Sequence, residues 1–544
     1  MTSSPISLST QLSDVLLGQA NAYAATHSIQ IQTKSQDDQI SSITAPISLL
    51  PNAFPRSNFE QAQSLAPSFN NMMDQMSRDS EFLTSVLEDV GKADLFTGKL
   101  LEMYQKLYGD EDSIEGQFAR TADRLGILRS DYMLDSKSTN DGEDGKYRLL
   151  QVELNTIASS FAGLATNVAA MHRYLTTRFG SENHGELNSF IDANVDAILP
   201  SSAKGGSEEE NGVPHNPALE NLPKAMQLAH ESYISHFLSS NNSNDDASPP
   251  PIIAFIVQPG ETNTIDQRLL EFKLWNQYET KVVRLSLQDI PNLTEFDSKT
   301  GALSLTTTGE EISLVYFRAG YAPTDYPTED CWEGRMKLEQ SRATKCPNLG
   351  YHLCGTKKMQ QHLSRAGVVE KFVPSESDAE KIRGAFAGLF SLSSIDMEDN
   401  DYDAVKRILK EHEEESYVLK PQREGGGYNY YGENLAKKLA ENVNTVNEGN
   451  DMVVKEVGKE LAEFILMERI FPPHQNAILL RSGLIEGSGP SISELGCFGC
   501  ILSDSEGAVL HNEYAGFLLR TKFVGVNEGG VASGFATLSS PYLC

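Results

Sequence analysis

The stretch from Tyr417 to Gly432, YVLKPQREGGGYNYYG, constrains this chain more than any other. Tyr417, Val418 and Leu419 read as a strand that delivers Lys420 to its end. Pro421 lacks an N–H and stops that strand from continuing as an inner sheet member. Gln422, Arg423 and Glu424 then lead into three glycines, Gly425, Gly426 and Gly427. Residues without a Cβ let backbone N–H groups approach an anion and adopt positive φ. Lys420 supplies a point charge for a phosphate, and Glu424 an oxygen for the hard cation that accompanies it. A helix-like run from Asn434 to Glu441 follows. This is the pattern of a phosphate-cradling loop, but not of GxxxxGK[ST], which occurs nowhere in the chain. Standing alone, the stretch is also readable as a flexible glycine turn with charged neighbours.

At 544 residues the chain has room for two or more domains and a large core. A net charge of −30 argues against a nucleic-acid partner, since phosphate backbones need a basic surface. The six cysteines are too few and too scattered for a disulfide framework. Cys497 and Cys500 have redox or zinc spacing, yet no second pair or nearby histidine completes a site, so the spacing is read as incidental. No stretch approaches 18 apolar residues, so no transmembrane helix and no membrane partner are expected. The Ser/Thr-rich start has no basic region before Asp14, which speaks against a secretory signal and leaves a transit peptide open; the default location is cytoplasmic.

Helical periodicity dominates up to about Leu125. Two polar, Pro- and Ser-rich stretches, 201–217 and 239–251, are expected to be flexible insertions, because neither buries enough apolar surface to offset its ordering entropy. Between Ile252 and Cys354, strands such as IIAFIV, KVVRLSL and SLVYFR alternate with the helix-like DQRLLEFKLW, the pattern of a compact α/β unit. Beyond Gly355, helices mix with strands such as FILMER and HNEYAGFLLR.

Further segments carry chemistry in their spacing. In RLLQVELN, alternation puts Glu153 and Asn155 on one face, about 7 Å apart, a separation suited to oxygen ligands of Mg²⁺ beside phosphates. A half-exposed strand with a polar face accounts for the same residues. In LLRTKF, Arg520 and Lys522 likewise share a face. Glu528 precedes a Gly529-Gly530 hinge and the small residues Val531, Ala532 and Ser533, which suits a mobile lid or a plain glycine-rich loop. No GxSxG, HExxH or nucleophile pattern stands out.

In order and spacing, KPQREGGG, LRSDYM, ELNTIASS, GETN, RAGY, GTKK, MERI, ISELG and LLRTKFVGVNEGGVASGF resemble the eukaryotic glutathione synthetase family of ATP-grasp ligases. The resemblance runs from Arg129 to the C-terminus and is weak in the first hundred residues. It implies a mixed α/β (α+β) fold: an ATP-grasp body with an inserted α/β substrate-binding domain. The expected parts are 1–250 (helical region and first part of the body), 251–355 (inserted domain) and 356–544 (nucleotide-binding part with Gly-rich loop and lid). It also implies Mg²⁺ bound by Glu153, Asn155 and Glu424. The substrate would meet Arg129, the turn Ile157, Ala158, Ser159 and Ser160, the polar turn Glu261, Thr262 and Asn263 with Gln267, and Arg318, Ala319, Gly320 and Tyr321. Arg520, Val531 and Ala532 would meet it from the lid side, with Arg129 and Arg520 in catalytic roles.

For ATP the resemblance implies Glu153, Lys357, Lys420, Pro421 and Gln422, the loop Arg423 to Gly427, and Tyr428, Asn429 and Tyr431. Met467, Glu468, Arg469 and Ile470 would form the adenine hinge, Glu494 would meet the ribose, and Lys522 and Glu528 would complete the set. The implied reaction is ATP-driven ligation of γ-glutamylcysteine with glycine through an acyl phosphate, in a homodimer. A β-alanine-using ligase of the same fold is the alternative. The chain departs from the animal members at Thr262, where they carry arginine. It also lacks the Leu-Pro that β-alanine users carry at Ala532 and Ser533.

Overall fold

The computed structural model describes residues 8–34, 40–137, 147–181, 185–199, 212–238, 249–422, 428–449, 451–531 and 533–544. Its backbone is organised by one eleven-stranded sheet. The middle of the sheet is a run of long antiparallel strands, Arg124–Asp135, Leu484–Ser503 and Val509–Phe523. Along the free edge of Arg124–Asp135, residues 129–135 pair antiparallel with Arg148–Asn155. On the same edge Arg124 pairs with Lys345, where the parallel strands Thr344–Cys346, Ile312–Phe317, Ile252–Ile256 and Val282–Leu285 begin. The α/β unit read between Ile252 and Cys354 is thus built as the parallel half of this one sheet.

Alternation along the strands decides which core each side chain joins. Ile127, Phe498 and Leu518 face one layer, formed by helices Thr10–Thr26, Ala162–Ser181, Ala218–Phe237 and Thr264–Tyr278. Their neighbours Leu128, Cys497 and Phe517 face the other, formed by Arg56–Arg78, Ser80–Ala93 and Leu95–Tyr108. In Arg56–Arg78 the buried Phe59, Ala62, Ala66, Phe69, Met73 and Met76 recur every three or four residues, the stripe of a helix lying on a sheet. Asp79 and Asp94 start the next two helices by accepting the N–H groups of Phe82 and Thr97 at 2.9 and 3.1 Å.

A second, four-stranded antiparallel sheet runs Leu389–Ser391, Phe464–Glu468, Tyr417–Pro421, Tyr430–Tyr431. Tyr417 and Leu419 pack with Ile408 and Leu435 of the helices Asp399–Glu411 and Gly432–Asn442. Val418, Ile465 and Met467 face the opposite way and meet Leu150 of the large sheet. Lys420 is delivered into the seam between the two sheets, as its place at the strand end predicts.

One expectation is corrected at the end of the first polar stretch. Residues 200–211 and 239–248 lie outside the described residues, but Gly212 to Pro217 packs. Val213 is buried, Gly212 exchanges backbone hydrogen bonds with Leu543, and the Asn216 amide donates to the Phe517 carbonyl at 2.7 Å. Composition marked the segment as polar, yet its amide groups find partners in the last strands, which offsets the cost of ordering it.

Candidate functional site

The two sheets, the helix Lys357–Leu363 and the C-terminal loop enclose a cleft of about 580 Å³. Its floor is the face of the large sheet that carries Arg129, Asp131, Glu153, Asn155, Glu494, Arg520 and Lys522. Register brings these residues together: Arg129 lies opposite Asn155, Asp131 opposite Glu153, and Glu494 opposite Arg520.

Asp131 is wholly buried and accepts from four donor atoms. Arg129 binds it through Nε and Nη2 at 2.7 and 2.8 Å, Arg520 through Nη2 at 2.9 Å, and Asn155 through Nδ2 at 2.9 Å. Arg520 also pairs with Glu494. Burial alone would lower the pKa of Arg520, but Glu494, Asp131 and Glu153 around it raise it. Glu494 is itself pushed up by burial.

Glu153 is ringed by cations. Lys357 Nζ sits 2.7 Å from its Oε2, and Lys420 donates to the carbonyl of the preceding Val152 at 3.1 Å. Burial would raise the Glu153 pKa, yet Lys357, Lys420 and Arg520 hold it far below the ordinary carboxylate range. Lys420 bears the counterpart of that crowding: burial first, then Lys357, brings its pKa down to about 8. Also on the floor, Lys522 donates to the carbonyls of Asn527 and Glu528 at 2.7 and 3.0 Å, and burial lowers its pKa. Asn429 reaches across to Glu528 at 3.3 Å, and burial raises Tyr431 to about 12. Pro421, Tyr428 and the segment Met467, Glu468, Arg469 and Ile470 line the same cleft, as does Val531.

The turn Ile157, Ala158, Ser159, Ser160 forms its end wall. Ala158 and Phe161 have φ of 52° and 72°, left-handed values that cost L-residues energy and need support. Two buried groups supply it. Arg318 donates through Nη1 to the Ala158 and Ser159 carbonyls at 2.7 and 2.8 Å. The Asp266 carboxylate accepts the N–H groups of Phe161, Gly163 and Leu164 at 2.7 to 3.2 Å. Arg318 therefore stands behind the turn rather than in the cleft, with Ala319 and Gly320 beside it, and only Tyr321 of that block lines the cleft.

Glu261, Thr262, Asn263 and Gln267 do not line it either. Glu261 is engaged within its own turn, accepting from the Asn263 N–H at 2.7 Å and from Gln267 Nε2 at 3.1 Å. The Thr262 carbonyl accepts from the Gln32 N–H. Gln422 is buried behind the cleft, its Oε1 taking the Lys358 N–H at 2.8 Å. Arg423, Glu424, Gly425, Gly426, Gly427 and Ala532 lie outside the described residues. Sequence reading missed Asp131 and Asp266. The signal for Asp131 was present: it sits two residues from Arg129 and so on the same strand face.

The chain matches the family described as eukaryotic glutathione synthase, ATP binding domain, over residues 10–543. A chloroplastic glutathione synthetase of Solanum lycopersicum is 37% identical over 501 residues, which span 92% of this chain and 78% of that protein. The glutathione synthetase of Homo sapiens is 34% identical over 499 residues, 92% and 90% of the two chains. The solved structure of a glutathione synthetase-like effector from Globodera pallida, in apo form, aligns with a TM-score of 0.68 over 99% of both chains. Its 20% identity makes that a likeness of fold.

Proposed function

The chain belongs to the eukaryotic glutathione synthase family, and from that premise we propose how its cleft performs the ligation. It is an ATP-dependent ligase that joins γ-glutamylcysteine to glycine. The cysteinyl carboxylate attacks the γ-phosphorus, ADP leaves, and an acyl phosphate remains. The amine of glycine then attacks the acyl carbon, the C–O bond to phosphate breaks, and glutathione, phosphate and a proton are released. Neither step needs a protein nucleophile; both need charge neutralised and groups aligned.

The observation that carries this reading is the cationic surround of Glu153: Lys357 lies 2.7 Å from its carboxylate, Lys420 binds the preceding Val152 carbonyl, and these two with Arg520 hold the carboxyl ionised. A polyphosphate entering there finds two lysines for its oxygens. Arg129 and Arg520 lie beside them on the floor, suited to a carboxylate or to the acyl phosphate. The hinge Met467 to Ile470 is read as the adenine contact, with Tyr431, Lys522, Glu494 and Glu528 completing the nucleotide side.

The donor set fits a hard cation. Glu153 is kept ionised, and Asn155 turns its amide nitrogen to Asp131, so that its oxygen faces away from that carboxylate. With Glu424, these two would hold Mg²⁺, which when bound neutralises phosphate charge. The family resemblance also supports a homodimer and a cytoplasmic location, and sedimentation and fractionation test them. Among the described residues no helix is long and apolar enough to cross a membrane.

ADP release with γ-glutamylcysteine and either glycine or β-alanine tests the reaction. Ser533 lines the cleft beside Gly530 and Val531, and the sequence lacks the Leu-Pro that β-alanine users carry at 532 and 533. β-Alanine is one methylene longer, so glycine should lead in kcat/KM by roughly 10- to 200-fold. Equal values would overturn the acceptor assignment.

A further inference from the structure

The guanidinium groups of Arg129 and Arg520 and the amide of Asn155 converge on a single side chain, Asp131. No part of the reaction scheme above uses it. Its Oδ1 accepts from Arg129 Nε, and its Oδ2 accepts from Arg129 Nη2, Arg520 Nη2 and Asn155 Nδ2. The Arg129 fork is bidentate and fixes the plane of that guanidinium. The carboxylate has no exposure, and the side chains of Arg129 and Arg520 are 6% and 13% exposed, so water does not screen the three groups from one another.

The surrounding backbone is shaped to this arrangement. Gly496 pairs directly with Asp131 in the ladder, and a Cβ there would fall 2.6 Å from Asp131 Oδ1 and 2.9 Å from Arg129 Cδ. Only glycine leaves the carboxylate and the arginine their places.

We infer that Asp131 is a positioning residue for ligation, the shared acceptor that holds Arg129 and Arg520 side by side and turns the Asn155 amide. Without it two like charges so close and so dry would repel, with Arg520 left on Glu494 alone. Asn155 would lose the shortest of its three Nδ2 contacts, keeping only Glu153 Oε1 at 3.3 Å and the Arg129 carbonyl at 3.4 Å. The inference rests on the acyl-phosphate reading of the cleft. Asp131 touches no substrate in that reading and acts through the residues it holds.

Turnover of γ-glutamylcysteine, glycine and ATP by the wild-type chain tests that reading first, and variants are then compared with it. In Asp131→Asn, kcat should fall by about a hundredfold or more while KM for ATP stays within about threefold, because lysines and the hinge hold the nucleotide. The rise in melting temperature on adding γ-glutamylcysteine should shrink as well. In a cycle with Arg520→Lys, the double variant should lose far less than the product of the two single losses. Unchanged kcat in folded Asp131→Asn, or losses that multiply, would overturn the inference. Should Asp131→Asn fail to fold, Gly496→Ala, which displaces the carboxylate without removing it, decides: a loss of about tenfold or more in kcat upholds the role, and wild-type kcat refutes it.

Discussion

Lys357 and Glu153, 204 residues apart in sequence, form an ion pair of 2.7 Å at the centre of the cleft. On the proposed reading, the lysine meant for phosphate sits on the oxygen meant for the metal, so nucleotide phosphates would have to draw Lys357 away before a metal reaches Glu153. Glu153→Gln keeps the shape and removes the charge. Its kcat should fall on the order of a thousandfold, with a higher Mg²⁺ requirement. Near-normal turnover at limiting Mg²⁺ would show that Glu153 is not a ligand.

Nucleotide affinity should decline above pH 8. Burial and the neighbouring Lys357 bring the pKa of Lys420 down to about 8, and bound polyphosphate favours its charged form. Below pH 8 the free and bound lysine are both protonated, so affinity is level. Above pH 8 the free lysine is neutral, binding takes up a proton, and affinity drops by up to about tenfold per pH unit. Calorimetric titration with a non-hydrolysable ATP analogue in buffers of different ionisation enthalpy reads both effects. Lys420→Arg should abolish the decline, since arginine stays charged; a level affinity from pH 7 to 9.5 in the wild type would remove the basis of this prediction.

Acid should destabilise the fold through His172, which is wholly buried with Nε2 on the Ser48 carbonyl at 2.9 Å and Nδ1 on Ser540 Oγ at 2.6 Å. The carbonyl can only accept, so Nε2 carries the hydrogen and Nδ1 accepts from the serine. Burial lowers its pKa to about 4. A pKa depressed in the folded state means that the stability it confers is full above the unfolded value near 6.5. That stability is lost as pH falls to about 4, and amounts to about 3 kcal/mol. Urea unfolding at pH 7 and pH 4.5 should show the drop, and His172→Gln should narrow the gap between the two. An equal gap in the variant would assign the acid sensitivity elsewhere.

Arg318 should govern the dipeptide rather than the nucleotide. Its two bonds to the Ala158 and Ser159 carbonyls hold a turn with left-handed residues, which would relax without them. Arg318→Ala should cost about 3 kcal/mol of stability and raise KM for γ-glutamylcysteine by about tenfold with KM for ATP little changed. A dipeptide KM equal to that of the wild type would show that the turn holds itself.

Much of the site was legible along the chain, and the reason is local geometry. A strand alternates with period two, so Glu153 with Asn155 and Arg520 with Lys522 had to share faces. Pro421 had to end the strand that presents Lys420, and the polar turn before Thr264–Tyr278 had to precede a helix. What each residue touches was decided by the tertiary structure alone. Arg318 and Tyr321 are three residues apart, yet one supports the turn from behind and the other lines the cleft. Asp131 reads as an ordinary strand acid until register sets Gly496 on one side of it and Glu153 on the other. The α/β unit joins the central sheet through a pairing of Lys345 with Arg124, across more than two hundred residues. Periodicity is a property of a short window, whereas register and sheet adjacency depend on which apolar faces bury each other across the whole chain, and no window holds that information.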